Sequence, residues 1–378
     1  LVNVLILDSQ TGGGHRAASE AISAALLERD STLHVEIVDG LVLGGPWPLN
    51  RAPAIYSWCM RHARFLWAFV FHLWNGPIRA KVMADLGYPG TVRRLRRLLQ
   101  SKNADIIVST HPLLTRTVAR VMRSFDKRIP FAIVVTDLVT GHWSWYDRGA
   151  DRIFVPTPEA FDIVKKGGVD PSVLRMTGQA VHHKCALAVP RRDEIRSRRG
   201  FTEVVVLLVG GGEGMGAIAG HARAINEARL PIRLVVVCGR NEKLRAELDA
   251  LPKNQPTEIL GFVHDLHELM AASDILVTKS GPGSIMEGCV AALPILLYDY
   301  LPGQEVGNVR LVESLRIGHY VPKPVDLVAA LRRWIEDPTL RADAAAASRK
   351  YAIPDSADRI AAGVLELLAA PAKQPSKV

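Results

Sequence analysis

A histidine stands at the mouth of a glycine turn near the start of the chain, in Thr11-Gly12-Gly13-Gly14-His15-Arg16. A helix dipole disfavours imidazolium at its N-terminus, so a ring placed there tends to stay neutral. A neutral imidazole can take a proton from a hydroxyl nucleophile. The plainer reading is a solvated or structural loop histidine. Two other polar residues end apolar runs in the same half of the chain and could line the same cleft: His111 in Thr110-His111-Pro112, and Asp137 after Phe131–Val135.

Three later segments could hold an anionic, hydroxyl-rich molecule. Gly210-Gly211-Gly212-Glu213-Gly214-Met215-Gly216 carries five glycines in seven residues, more than a tight turn requires. Exposed N–H groups at a helix start suit a diphosphate. The order is not Gly-x-x-x-x-Gly-Lys-Ser/Thr, which disfavours a Walker-type hydrolase. The next strand runs into Cys238-Gly239-Arg240-Asn241 rather than the acidic residue a dinucleotide dehydrogenase wants there. Lys279-Ser280-Gly281-Pro282-Gly283-Ser284 is another glycine turn opening a helix, with Glu287 three residues after Ser284. Glu287 either completes a capping box with Ser284 as N-cap or bonds the vicinal hydroxyls of a ribose. Gln304, Glu305 and Asn308 offer donors and acceptors suited to sugar hydroxyls, or form an ordinary polar helix start. No Asp-x-Asp pair occurs, so no tightly bound metal or cofactor is expected, and glycine turns would have to neutralise a leaving diphosphate.

The elements that must position these groups alternate strand and helix through both halves. Val2–Leu7, His34–Val38, Asp105–Val108, Phe131–Val135 and Arg152–Val155 read as strands, and the pattern weakens over residues 186 to 194. It restarts with Glu203–Val209, Ile232–Val237, Glu258–Leu260, Ile275–Thr278 and Ile295–Leu297. This is the pattern of parallel sheets wrapped by helices. The expected fold class is α/β, two doubly wound Rossmann-like domains facing across a cleft. Residues 1–188 form the first domain, 189–370 the second, and 371–378 a disordered tail. A chain of 378 residues is the right length for about two cores.

Residues 51–99 depart from this pattern. They read as helices broken at Asn75-Gly76-Pro77 and again at Tyr88-Pro89-Gly90. Nine Lys/Arg and one acid, Asp85, lie between Arg51 and Arg97, nearly the whole of the +9 net charge. Trp58, Trp67 and Trp74 are interleaved there with Arg61, Arg64 and Arg79. Phe65–Trp74 is apolar except for His72, too short to span a bilayer but suited to an interfacial helix. A buried helix with basic ends is the plain alternative. The apolar run is too continuous for a nucleic-acid groove, so an anionic membrane surface is the expected partner and nucleic acid is not. The four scattered cysteines, Cys59, Cys185, Cys238 and Cys289, read as reduced thiols. The run Val4–Leu7 is too short for a signal peptide. Arginine outnumbers lysine 34 to 13, a usage that points to a GC-rich bacterial genome. The expected location is therefore peripheral, on the cytoplasmic face of a bacterial plasma membrane rather than a plastid envelope.

Taken together, Asp8–Ala18, Val135–Leu138, Gly210–Gly216, Cys238–Asn241, Thr278–Ser284 and Gly303–Asn308 resemble the monogalactosyldiacylglycerol synthase and processive diacylglycerol glucosyltransferase family over about residues 2 to 350. These are inverting GT-B glycosyltransferases. The resemblance implies a UDP-sugar-dependent hexosyltransferase that moves galactose or glucose to diacylglycerol, giving a β-glycolipid. It implies His15 as the base, with Gly13, Gly14, Asp137 and Trp145 on the acceptor side and Trp58, Arg61, Trp67 and Trp74 towards lipid. On the donor side it implies the Gly210–Gly216 turn, with Gly211, Gly212, Gly214 and Met215, for the diphosphate. Gly239, Arg240, Asn241, Ser280, Gly281, Pro282, Gly283 and Ser284 would also bind the donor, with Glu287 on the ribose and backbone near Phe262 and Val263 on the uracil. Gln304, Glu305 and Asn308 would hold the sugar. The rival readings are GlcNAc transfer to a polyprenyl-diphosphate lipid, a soluble sugar-nucleotide epimerase and a non-enzymatic nucleotide sensor.

Overall fold

The computed structural model describes residues 1–370 except 126, 213, 215 and 216, and not the side chains of 87 and 88. The expected disordered tail, 371–378, lies outside the described residues. The chain folds as two compact units: Leu1–His182 with the segment from Asp355 onward, and His183–Pro354.

The first unit runs β1 (Asn3–Asp8), α1 (Gly13–Arg29), β2 (His34–Asp39), α2 (Gly40–Gly44), α3 (Ala52–His62), α4 (Arg64–Trp74), α5 (Pro77–Ser101) and β3 (Ile106–Ser109). It continues with α6 (Pro112–Met122), β4 (Phe131–Val134), β5 (Arg152–Val155), α7 (Pro158–Lys166) and β6 (Leu174–Met176). The second unit opens with α8 (Lys184–Ala188), α9 (Arg192–Arg199), β7 (Val204–Val209), α10 (Ile218–Glu227), β8 (Ile232–Val237), α11 (Glu242–Asp249) and β9 (Thr257–Leu260). Then come α12 (Leu266–Ala272), β10 (Ile275–Lys279), α13 (Pro282–Val290), β11 (Ile295–Asp299), α14 (Val306–Ser314), β12 (Gly318–Tyr320), α15 (Pro324–Glu336) and α16 (Pro338–Tyr351). The last helix, α17 (Ser356–Ala369), belongs to the first unit.

Among the described residues each unit holds one six-stranded sheet. The orders are β2-β1-β3-β4-β5-β6 and β12-β11-β10-β7-β8-β9, with every pairing parallel. Strands buried on both faces must be apolar at successive positions. In β1, Leu5 and Leu7 enter one core while Val4 and Ile6 enter the other. Each order reverses direction once, between β1 and β3 in the first sheet and between β7 and β10 in the second. Loops leaving the carboxyl ends of such strand pairs diverge and open a crevice for ligands.

Three expectations change. The boundary falls at His182/His183, and residues 356–369 return to the first unit instead of closing the second. The reason is an apolar stripe on α17, Ala357, Ile360, Ala361, Val364 and Leu367, which packs with Ala18, Ala21, Ile22, Ala25 and Leu26 of α1. Gly363 lets α17 lie close to β5, since a methyl there would be 2.6 Å from the Phe154 ring. Second, α5 runs unbroken through Tyr88-Pro89-Gly90. Buried Thr91, Leu95 and Leu99 tie its second half to the core, and that packing outweighs the missing N–H of Pro89. Third, the short edge strands β6 and β12 are additions that the sequence pattern had not marked.

Candidate active site

In the first unit the crevice lies where β1 and β3 end. Gly12 is the N-cap of α1 and makes no side-chain capping bond, and His15 sits in the first turn, buried. Its Nδ1 is 2.8 Å from the carbonyl oxygen of Thr110 and 2.9 Å from Thr136 Oγ1. A carbonyl oxygen can only accept, so Nδ1 carries the hydrogen and Nε2 keeps its lone pair. Burial holds this imidazole below its ordinary value of 6.5, against the opposing pull of Asp137 and the Thr110 bond. The ring is therefore a neutral base at physiological pH. Burial keeps it so, in the same direction as the helix dipole anticipated from the sequence.

The His111 ring lies 4.6 Å from that of His15, tilted against it by 58°. Its Nδ1 accepts the N–H of Leu113 at 3.3 Å, so Nε2–H faces Thr11 Oγ1 at 2.8 Å. Burial, reinforced by the His15 charge, pushes it well below the ordinary value. Trp145 is fully buried, with its ring 6.2 Å from His15, and its Nε1 donates to Asp137 Oδ2 at 2.7 Å. So His15, His111, Asp137 and Trp145 form one cluster. Gly13 and Gly14 are exposed beside it, and a methyl on either would meet nothing within 4 Å. That leaves room for an incoming molecule. Thr110 and Thr136 are positioning groups that sequence reasoning missed. The available signal was that both follow the carboxyl ends of sheet strands.

Asp8, at the end of β1, is also buried. Burial raises its carboxyl to about 6 against the pull of Arg16, and the nearby Asp39 adds to the rise. Its Oδ1 has no hydrogen-bond partner among the described residues.

The donor candidates gather at the crevice of the second unit. The Gly210 turn and the Cys238–Asn241 turn pack backbone against backbone. Arg240 N–H donates to Gly212 O at 2.9 Å, and Asn241 Nδ2 to Gly214 O at 3.1 Å. Gly214 (φ +55°) and Gly239 (φ +59°) are obligatory here: a methyl would lie 2.0 Å from Cys238 O and 2.5 Å from Gly211 O respectively. Asn241 Oδ1 also caps α11 through Leu244 N–H, so this side chain braces the turns. Arg240 lies over the Phe262 ring at 4.3 Å, beside Val263. Met215 lies outside the described residues.

The turn after β10 is similarly braced. Ser280 Oγ donates to Asp299 O at 3.0 Å, and Asn308 Nδ2 to Ser280 O at 2.9 Å. Glu305 Oε2 accepts the N–H of Leu301 at 2.7 Å. Asn308 Oδ1 and Thr278 Oγ1 are buried without a hydrogen-bond partner among the described residues, a rare condition in a folded chain that a ligand or water would relieve. Gln304 is half-buried nearby in sequence. The N-cap of α13 is Gly281, followed by Pro282, and no side chain caps it. This corrects the capping-box reading: Ser284 lies inside the first turn and Glu287 a further turn on. Glu287 is half-buried, and desolvation raises its carboxyl above the ordinary range. Gly283 faces open space. Among the described residues no three His, Cys, Asp or Glu side chains gather as a metal-ligand set.

The Trp/Arg segment forms α3, α4 and the start of α5. Trp58, Arg61, Phe65, Phe69, Leu73 and Ile78 are exposed along it. Trp67 instead turns inward, edge-on to Tyr56 at 5.1 Å, and Trp74 is half-buried. Tyr56 in turn rests against Gly12, and Phe71 meets His142 edge-on at 5.3 Å. No helix among the described residues is long and apolar enough to cross a membrane.

Residues 15–181 match the model of the monogalactosyldiacylglycerol (MGDG) synthase family, and residues 205–359 match the glycosyltransferase family 28 C-terminal domain. The chain is 36% identical over 347 residues to the chloroplastic monogalactosyldiacylglycerol synthase of Spinacia oleracea, covering 88% of this chain and 66% of that one. It is 37% identical to a probable monogalactosyldiacylglycerol synthase 2 of Oryza sativa subsp. japonica, covering 88% and 73%. It is 34% identical to monogalactosyldiacylglycerol synthase 2 of Arabidopsis thaliana, covering 97% and 81%. The chain thus spans just under two thirds of the length of the spinach relative. Among solved structures it superposes on Acinetobacter baumannii MurG (TM-score 0.63, 15% identity, 97% of this chain and 100% of that one). It superposes equally on the calicheamicin glycosyltransferase CalG4 (TM-score 0.63, 14% identity, 97% and 98%). At such identities the likeness establishes the fold, which is GT-B.

Proposed function

The chain belongs to the monogalactosyldiacylglycerol synthase family, and from that premise we propose that it moves galactose from UDP-galactose to diacylglycerol with inversion, giving a β-monogalactosyldiacylglycerol. The observation that carries the reading is the tautomer of His15. With Nδ1–H on the Thr110 carbonyl, Nε2 is left as a neutral proton acceptor, and Gly13 and Gly14 of the same helix turn are exposed with open space in front of them. In the reaction, Nε2 takes the proton of the sn-3 hydroxyl as that oxygen forms its bond to the anomeric carbon. The bond from that carbon to the diphosphate oxygen breaks, and UDP departs with the electron pair. His15 then carries the proton as imidazolium until solvent removes it. The Thr110 carbonyl and the Asp137 charge favour that transient cation.

The second unit would bind the donor. Gly211, Gly212, Gly214 and Arg240 would meet the diphosphate, Glu287 the ribose, Phe262 and Val263 the uracil, and Gln304, Glu305 and Asn308 the sugar. The orphan Asn308 Oδ1 supports a polar partner there. Glucose as the donor sugar is the close variant, and the names of the relatives favour galactose.

The enzyme would work at a membrane surface. Exposed Trp58, Phe65, Phe69 and Ile78 with Arg61 and Arg79 beside them suit headgroup-level insertion on anionic lipid. GlcNAc transfer to a polyprenyl-diphosphate lipid has only the fold likeness to MurG behind it.

The test is a transfer assay on the purified protein with UDP-galactose, UDP-glucose and UDP-GlcNAc, each against diacylglycerol and a polyprenyl-diphosphate acceptor in vesicles. Galactosyl-diacylglycerol as the main product supports the reading. Turnover only with UDP-GlcNAc and the polyprenyl acceptor would overturn it.

A further inference from the structure

The crevice of the second sheet brings two turns together from strands far apart in sequence, the Gly210 turn after β7 and the turn after β10. Lys279 is the last residue of β10. The β10–β11 register shifts between Thr278 and Lys279, so Thr278 pairs with Leu297 and Lys279 with Asp299. Irregularities of this kind re-aim a side chain where a strand ends. The Lys279 side chain reaches over Gly211. A methyl placed on that glycine would lie 3.1 Å from Lys279 Cε and 3.5 Å from Nζ. On the neighbouring residue, a methyl at Gly212 would lie 3.7 Å from an Arg240 guanidinium nitrogen. Two successive glycines of one turn are thus flanked by two cations from two different strand ends.

Lys279 is half-buried, and no carboxylate among the described residues pairs with it. An anion bound in the turn would give this ammonium a partner of opposite charge. Arg240 lies over the Phe262 ring, and the two cations differ in character: one is a planar guanidinium, and the other is a point charge on a flexible stem.

We propose that Lys279 is a catalytic residue that binds the β-phosphate of the donor and neutralises the charge that builds there as the glycosidic bond breaks. The inference rests on the donor reading above and adds to it a residue that the sequence reading left unassigned. When the bond from the anomeric carbon to the diphosphate oxygen breaks, both electrons stay on that oxygen. The β-phosphate gains one negative charge, and no proton is needed if a cation faces it. A group that meets this charge binds UDP more tightly than UDP-sugar, and the same difference lowers the barrier. Lys279 would share the part that the sequence reading gave to the glycine turns.

The experiment is titration calorimetry of UDP, UDP-galactose and uridine with the full chain and with Lys279→Gln and Lys279→Arg, together with kcat for transfer. For Lys279→Gln, UDP affinity should fall about 30-fold or more and kcat about 10²–10³-fold, the scale of removing one stabiliser of transition-state charge. UDP-galactose should lose clearly less affinity than UDP, and uridine should bind as to the unaltered chain. Lys279→Arg keeps the charge and should recover roughly a tenth or more of kcat. Equal losses for uridine and UDP would mean that Lys279 only shapes the turn, and unchanged UDP binding and kcat would equally overturn the proposal. If the unaltered chain binds no UDP at all, the donor reading itself fails, an outcome distinct from both.

Discussion

The Nδ1 of His15 meets the carbonyl oxygen of Thr110 at 2.8 Å, across 95 residues of sequence. The contact comes from the side-by-side pairing of β1 and β3, which sets the two following turns against each other. One backbone oxygen thereby decides which ring nitrogen can act as a base. Thr136, 121 residues from His15, supplies a second contact to the same nitrogen from the end of the next strand.

This arrangement fixes the direction of the pH dependence. His15 must be neutral to accept a proton, and burial lowers its value from 6.5. Activity should rise with pH through an acid limb below 6.5 and stay level above it. Asp137 raises the His15 value, so Asp137→Asn should move the limb to still lower pH. A pH series of kcat/KM on both proteins checks this. A limb above 6.5, or a shift to higher pH in the variant, contradicts it.

Asp8 should carry a stability cost. Its folded value of about 6 lies above the ordinary 3.8, so the fold disfavours the charged form. The penalty is fully present above pH 6 and disappears as pH falls through 6 towards 3.8. The shift corresponds to about 3 kcal/mol. Asp8→Asn should therefore stabilise the chain at pH 8 by about 1–3 kcal/mol, with the gain shrinking by pH 5. Chemical denaturation at both pH values measures it. A loss of stability at pH 8 would mean that the contact with Arg16 outweighs burial.

The return of α17 to the first unit should be held by apolar packing and not by its surface ion pairs. Ile360 is fully buried against α1, whereas Arg29 and Asp358 pair at 2.6 Å with both side chains well exposed. Ile360→Ala should cost about 2–4 kcal/mol and Arg29→Ala under about 1 kcal/mol. Denaturation midpoints compare the two, and the reverse order would refute this view of the packing.

Phe65 and Phe69 are exposed on α4. Replacing both with Ser should lower partitioning onto anionic vesicles roughly 10-fold or more, taking a few kcal/mol as the worth of two inserted rings. Vesicle flotation reads the effect. Unchanged binding would remove α4 from the membrane surface.

Much of this was legible in the sequence because it is local. Apolar runs followed by glycine turns mark β1, β7 and β10, and their repetition marks two doubly wound units. Sequence position cannot reveal which core α17 joins, since its stripe suits either one. Nor do three residues such as Gly318–Tyr320 show enough alternation to announce an edge strand. At the site, His15 was visible from its turn, yet its tautomer depends on residues brought in by strand order. Lys279 was hidden for the same reason: its partner turn begins near Gly210, and only the pairing of β7 with β10 places them together. In the Trp/Arg segment, composition showed the tryptophans but not their directions, and Trp67 turned inward.

The central claim is that His15 is the base. The most direct measurement is UDP binding and galactosyl transfer to diacylglycerol by His15→Ala beside the unaltered protein. The expected result is UDP affinity within about threefold and a fall in kcat of at least about 10²–10⁴-fold, the range for a general base. Transfer at near the unaltered rate, with product confirmed as galactosyl-diacylglycerol, would contradict it.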